Sequence, residues 1–212
     1  MNLLKSYIQN FVSRAGNYIL SASIISRLLS FLASWIALQL IPNKELGIVL
    51  FSYNIILFIN PIGGFGLHQG LLRYGALLKT PEEKNSLFRF TFFKGIWATC
   101  ILIFIILIGS FFIDFKFENT KNYLAFLSIT LIPMYVFELM KIQFRLQHKN
   151  KLFALTEVVF FSILTLTILI LSYYFKEKGY AIALVLTPIL SVLFFVRKIK
   201  ADLVFKEKLS II

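Results

Sequence analysis

The sequence predicts an all-α membrane protein, a polytopic bundle of six transmembrane helices with both termini on the cytoplasmic side. Three observations support this prediction: the composition, the length of the apolar segments and the distribution of positive charge. Of the 212 residues, 58% are hydrophobic, 15% are charged and 24 are phenylalanine, and the mean hydropathy is +0.82. A water-soluble domain cannot bury so much apolar surface, so the composition indicates an integral membrane protein.

Six apolar segments are long enough to cross about 30 Å of hydrocarbon at about 1.5 Å per helical residue. Turn-forming or charged residues separate neighbouring segments. The first segment is too long for a cleaved signal peptide and has Arg27 near its centre. The predicted spans are residues 15–41, 46–67, 90–113, 122–142, 152–174 and 179–196.

Positive charge alternates between the two sides of these spans. Sixteen of the 22 lysines and arginines fall in the N-terminal segment, the second and fourth connections and the tail, against five in the other connections. The side with more positive charge is predicted to be cytoplasmic. The net charge of +12 is thus explained by topology and anionic lipid neighbours, without nucleic acid. Residues 1–197 form one predicted lobe, and 198–212 a cytoplasmic tail or a linker to a second lobe.

Arg27 is the most informative residue, because a charge at the centre of a membrane helix costs about 2.5–3.5 kcal/mol. On a helical wheel Gly16, Ser23, Ser30 and Ser34 fall within about 60° of it. This small, hydroxylated face is typical of a buried helix interface, and equally of the wall of a polar cavity. We expect a cavity in which Arg27 binds an anion, because packing alone does not require a charge at this depth.

A second feature is the interruption of the second span. Proline removes a backbone donor and clashes with the preceding turn, so we expect a kink or break here. Helices interrupted in this way often border transporter sites and supply hinges. The candidate hinge residues are Asn60, Pro61, Gly63, Gly64 and Gly66.

Polar residues follow the hinge at the predicted cytoplasmic mouth. His68, Gln69 and Arg73 are candidates for binding a phosphate-bearing head group, and an ordinary positively charged membrane boundary is the alternative. Farther along, Thr80 to Glu83 matches a capping box with proline at the first helical position. The helix that it starts is expected either to lie in the membrane interface or to extend directly into the third span.

Glu157 is the second anomalous charge in the sequence, a carboxylate near the cytoplasmic start of the fifth span. Four roles remain open for it: pairing with Arg27, pairing with Lys151, binding a coupling proton or sodium ion, and reaching head-group water. Glu138 and Lys141, near the end of the fourth span, are expected to extend to the interface and are assigned no function.

The sequence offers little for catalysis. It has no paired acidic motif, no histidine-rich cluster and no P-loop pattern, and its one cysteine, Cys100, lies within an apolar run. We therefore expect a protein that is not an enzyme, with no cofactor and no metal site.

Three short segments occur in the order and spacing of polysaccharide flippases: Ser26 to Phe31, Ile41 to Gly47 and Gly66 to Tyr74. Over essentially its whole length the chain resembles the O-antigen (Wzx-type) flippases of the multidrug/oligosaccharidyl-lipid/polysaccharide superfamily. The resemblance implies one lobe of a transporter that flips undecaprenyl-pyrophosphate-linked oligosaccharide across the bacterial cytoplasmic (inner) membrane for surface polysaccharide biosynthesis. It also implies substrate contact for Arg27, which matches an arginine on the first helix of such flippases.

Transporters of that superfamily have two lobes of about six spans each, whereas this sequence has six predicted spans. The expected partners are therefore a second six-helix half or a homodimer mate, together with membrane lipids, lipid-linked oligosaccharide and the polysaccharide polymerase machinery. An inactive remnant or a non-transporting envelope assembly component is the alternative. Extrusion of cationic drugs is a lesser alternative, because it predicts a lumen rich in carboxylates, whereas the clear deep charge of this sequence, Arg27, is positive.

Overall fold

The computed structural model describes residues 16–204, with side chains described through Ile199. Every regular element in this range is a helix, which confirms the predicted all-α class. The elements are α1 (Gly16–Leu40), α2 (Asn43–Ile59), a 3₁₀ segment (Asn60–Gly66), α3 (Leu67–Gly75), α4 (Pro81–Phe112), α5 (Thr120–Ser128), α6 (Leu131–Leu146) and α7 (Asn150–Val204).

Five helical stretches within the described residues are long and apolar enough to cross a membrane. They are Gly16–Leu40, Asn43–Gly75, Pro81–Phe112, Thr120–Leu146 and Asn150–Ile199. The fifth stretch has 50 residues, whereas about 20 are enough for one crossing. It therefore covers both the fifth and the sixth predicted segments.

Helix α7 is interrupted at Lys176, whose backbone angles (φ 51°, ψ −129°) are not helical. Residues 150–175 form its first arm and 177–204 its second. The Oγ1 atoms of Thr167 and Thr187, one on each arm, are 3.2 Å apart, so the arms fold back along one another. The second arm extends into the predicted tail at 198–212, of which residues 205–212 lie outside the described part of the chain.

Two apolar clusters form the core. One joins α1, α2, α4, α5, α6 and α7 around fully buried residues such as Val49, Leu127 and Ala183. The other joins α3, α4, α6 and the second arm of α7 around Leu71 and Phe144. Many large apolar side chains on the outside are exposed, as expected of a bundle that faces lipid.

The predicted break in the second span is confirmed. Gly63, Gly64 and Phe65 have non-helical backbone angles, and φ is positive at Gly64, Phe65 and Gly66. The freed amide of Gly64 donates a hydrogen bond of 3.0 Å to the hydroxyl of Thr99 on α4. A protein group therefore accepts the hydrogen bond of this amide, as is required of backbone donors within the hydrocarbon region.

Tyr135 of α6 holds the broken segment against α4. Its side chain is buried, and its hydroxyl donates to the carbonyl oxygen of Thr91 at 2.9 Å. A Cβ atom at Gly64 or Gly95 would overlap the tyrosine ring, so glycine is required at both positions. The ring thus fixes how closely the three elements approach.

The capping box at the start of α4 is also confirmed. The Thr80 hydroxyl accepts from the Glu83 amide at 3.3 Å, and the Glu83 carboxylate accepts from the Thr80 amide at 3.2 Å. Helix α4 then continues without interruption to Phe112, so its first turns are an extended start of the third span and not a separate interfacial helix.

Replacing Gly95 with alanine should destabilise the bundle by about 1–3 kcal/mol, because the added methyl group overlaps Tyr135. Gly109→Ala, on the same helix, is the matched control, since a Cβ there meets no atom within 4 Å. Thermal unfolding in detergent measures both. Equal melting temperatures for the two variants would contradict this close packing.

Candidate functional site

Arg27 lies at a cavity of about 490 Å³ between α1 and the first arm of α7. Hydroxylated residues of α1 form one wall, and apolar residues with one carboxylate form the other. The main lining residues are Ser23, Ser26, Arg27 and Ser30 from α1, and Phe153, Ala154, Glu157 and Phe161 from α7. The predicted serine-lined face of the first helix therefore does border a cavity.

The Arg27 guanidinium has no ion-pair partner in the described part of the chain. The three ion pairs among these residues involve other side chains. Because a guanidinium remains protonated at any physiological pH, Arg27 contributes a full positive charge to the cavity. Glu157 lines the same cavity, but it does not form an ion pair with Arg27.

Glu157 is bound instead to Lys141 of α6, with 2.7 Å between Oε1 and Nζ. Lys141 also binds Glu138 at 3.1 Å, and its side chain is only 15% exposed. Among the described residues Glu157 forms no ion pair with Lys151. The Lys151 ammonium lies 4.8 Å from the ring centroid of Tyr18.

The ion-pair group of Lys141, Glu138 and Glu157 corrects the sequence analysis, which assigned Glu138 and Lys141 no role. Lys141 holds Glu157 in place and neutralises part of its charge. The sequence could not show this, because the pairing depends on how α6 and α7 are aligned. Proton or sodium binding at Glu157 stays a prediction.

The serines of α1 divide between cavity and packing. Ser23 and Ser30 line the cavity as predicted, whereas Ser34 lies one turn beyond it and donates to the Ser30 carbonyl at 3.0 Å. Ser26 is a cavity residue that the helical wheel missed, because it falls about 40° outside the predicted arc. Its hydroxyl is buried and has no hydrogen-bond partner in the described structure.

The predicted head-group residues lie elsewhere. His68 is 9% exposed and packs edge-on against Tyr135, with 6.1 Å between ring centroids. Its Nε2 atom is 3.1 Å from the side-chain nitrogen of Gln69, and the Arg73 guanidinium lies 5.9 Å from the ring centroid of Tyr74. None of the three lines the Arg27 cavity, so the predicted substrate residues do not form one site.

No protein-family model, no curated protein and no solved structure matches the chain. The resemblance to polysaccharide flippases therefore stays a prediction, and a function has to be argued from the chemistry of the cavity. In the described part of the chain, no three His, Cys, Asp or Glu side chains come together as a possible metal site.

The cavity combines a fixed positive charge, hydroxyl groups and two phenylalanine rings. A guanidinium binds phosphate oxygens with two parallel hydrogen bonds, and this contact strengthens where the local dielectric constant is low. Serine hydroxyls add further donors, while Phe153 and Phe161 offer contact to an apolar chain. The arrangement thus suits a phosphate group that is attached to something apolar.

Replacing Lys141 with methionine should destabilise the protein by about 2 kcal/mol, because it leaves two carboxylates without their cation. The expected loss is below the roughly 3–5 kcal/mol of a fully buried pair, since the Glu157 side chain is 34% exposed. Adding Glu157→Gln should recover part of it.

The matched control is Lys121→Met, which breaks a solvent-exposed pair with Asp114 and should cost less than about 1 kcal/mol. Chemical unfolding in mild detergent measures all three variants. An equal loss of stability in Lys141→Met and Lys121→Met would show that the Lys141 ion-pair group stabilises the protein no more than an exposed pair does.

Proposed function

We propose that this chain is the N-terminal lobe of a flippase for undecaprenyl-pyrophosphate-linked oligosaccharide in the bacterial cytoplasmic membrane. In this proposal the bundle has six spans, because each arm of α7 crosses once, and both termini are cytoplasmic. The observation that carries the proposal is the Arg27 guanidinium, which has no carboxylate partner among the described residues and lies in a serine-lined cavity.

An anionic ligand accounts for Arg27 better than a structural role does. Arg27 is near the middle of a 25-residue span, where an unmatched charge is costly. The one carboxylate of the cavity, Glu157, is already bound by Lys141. The buried hydroxyl of Ser26, which has no partner in the described structure, is a further donor for phosphate oxygens.

The shape of the cavity supports a role for a second half. Its lining comes from only two helices, α1 and α7, so other protein is needed to enclose a ligand. A second six-helix half or a homodimer mate would complete it. The broken segment at Gly63 to Gly66 supplies the hinge in this proposal, because Gly63, Gly64 and Phe65 have non-helical backbone angles.

Extrusion of cationic drugs is less well supported. It needs a free carboxylate that faces the cavity, and Lys141 holds the carboxylate that is present. A cation would also meet the positive charge of Arg27. The cavity therefore favours an anionic cargo.

The direct test is binding of undecaprenyl-pyrophosphate-linked sugar to the purified chain in nanodiscs. Arg27→Gln should weaken binding about 10–100-fold, because a hydrogen bond to a charged group contributes about 1.5–3 kcal/mol. The affinity of Arg27→Lys should lie between those of Arg27→Gln and the unchanged protein, because lysine keeps the charge but cannot form the two parallel bonds.

Arg197→Gln is the matched control, because Arg197 is a second arginine of the chain and does not line the cavity. It should bind within about twofold of the unchanged protein. Unaltered affinity in Arg27→Gln, or an equal loss in Arg197→Gln, would overturn the proposal.

The proposed six-span topology is tested by cysteine labelling in a Cys100→Ala background. A membrane-impermeant maleimide added to spheroplasts should label Lys116→Cys and Lys178→Cys, which lie in connections expected to face outward. Lys79→Cys and Lys149→Cys should react only after permeabilisation. Protection of Lys178→Cys in intact spheroplasts would show that the two arms of α7 do not both cross.

A further inference from the structure

A second cavity, of about 370 Å³, lies at the end of the bundle where two connections meet. One connection joins α3 to α4, and the other joins α6 to α7. The polar side chains that line it include Lys79, Lys84, Asn85, His148 and Lys149. It shares no lining residue with the Arg27 cavity.

The charge of this cavity is one-sided. No aspartate or glutamate lines it, and none of its three lysines forms an ion pair within the described part of the chain. Glu83 does not line the cavity; it accepts from the Thr80 amide in the capping box and also interacts with the charge of Lys79. Like charges repel, so an anion between these lysines would lower the energy of the arrangement.

The scaffold around the lysines is fixed by hydrogen bonds. Lys84 Nζ donates to the carbonyl oxygen of Leu146 at the end of α6, at 3.2 Å. The side chain of Gln143 donates to Asn85 Oδ1 at 2.8 Å, which joins α6 to α4 directly. These bonds hold the end of α6 against the start of α4, so the three lysines line one cavity without a ligand.

The backbone of the second connection is fixed by the end of α6. His148 has a positive φ of 56°, and the Lys149 amide donates to the Phe144 carbonyl at 2.8 Å. The His148 amide also donates to the Arg145 carbonyl at 3.0 Å, so the two bonds form a Schellman motif that ends α6. The turn places His148 and Lys149 beside the first turn of α4.

We propose that this cavity binds a phosphate group, presented either by an anionic lipid head group or by a soluble phosphate. Lysine ammonium groups supply the charge, and the Asn85 side-chain nitrogen adds a neutral donor. The sequence predicted a head-group contact at His68, Gln69 and Arg73 of α3, whereas the lysines of this cavity lie in the connection after α3, at the start of α4 and in the connection after α6. The proposal does not depend on flipping, because different helices form the two cavities.

The test compares two lysine variants of the full chain in detergent. Lys79→Gln/Lys84→Gln/Lys149→Gln removes the cavity charge. Lys44→Gln/Lys116→Gln/Lys178→Gln removes the same charge from connections that do not line it. Affinities are measured by thermophoresis for dioctanoyl phosphatidylglycerol, dioctanoyl phosphatidylcholine and inorganic phosphate.

The cavity variant should bind the anionic probe on the order of 100-fold more weakly, at about fivefold per lysine, while the control variant binds as the unchanged protein does. Lys84 also donates to the Leu146 carbonyl, so its replacement removes a structural bond as well as a charge. The variant Lys79→Gln/Lys149→Gln keeps that bond, and its affinity for the anionic probe should fall about 25-fold. Phosphatidylcholine should bind weakly to every variant.

The probes also distinguish the source of the phosphate. Lysine-dependent binding of phosphatidylglycerol alone identifies a lipid site, and lysine-dependent binding of inorganic phosphate identifies a soluble ligand. The proposal fails if neither probe binds, or if the control variant loses as much affinity as the cavity variants.

Discussion

Lys141 determines what the principal cavity can do. Its ammonium group binds Glu157 and Glu138 together, so the one carboxylate that lines the cavity has a cation other than Arg27. Without Lys141, Glu157 would be a carboxylate without its cation in the cavity that Arg27 also lines. In the proposed function, the ion pair that Lys141 of α6 forms with Glu157 therefore leaves Arg27 without a carboxylate partner among the described residues.

Helix α6 connects this ion pair to the broken helix. It contains Lys141 and also Tyr135, which packs on Gly64 and Gly95. The span that includes α6 is more buried than the other four, so it forms the centre of the bundle. A change in the break at Gly64 would press on Tyr135, and two turns along the same helix Lys141 holds Glu157. The broken segment and the ion pair of Glu157 thus both contact helix α6.

Local features of this structure could be predicted from the sequence, and contacts between helices could not. The break at Pro61, the capping box at Thr80 and the turn near Lys176 each follow from residues adjacent in the chain. The pairing of Lys141 with Glu157 requires the alignment of α6 on α7. The helical wheel did not include Ser26 in the cavity for a related reason. A wheel shows which residues share a face of α1, but not how much of that face borders the cavity with α7.

The two cavities use different cations, and their depths explain the difference. Arginine is weakly hydrated and binds phosphate through two parallel bonds, which suits a site in the middle of a span, where water is scarce. Lysine is a strongly hydrated point charge, which suits the end of the bundle, where Lys79 and Lys149 lie in connections between helices. An anionic lipid held at the bundle end would stabilise the connections without competing for Arg27. Charge at the membrane boundary and charge at mid-depth can therefore serve separate purposes in one small bundle.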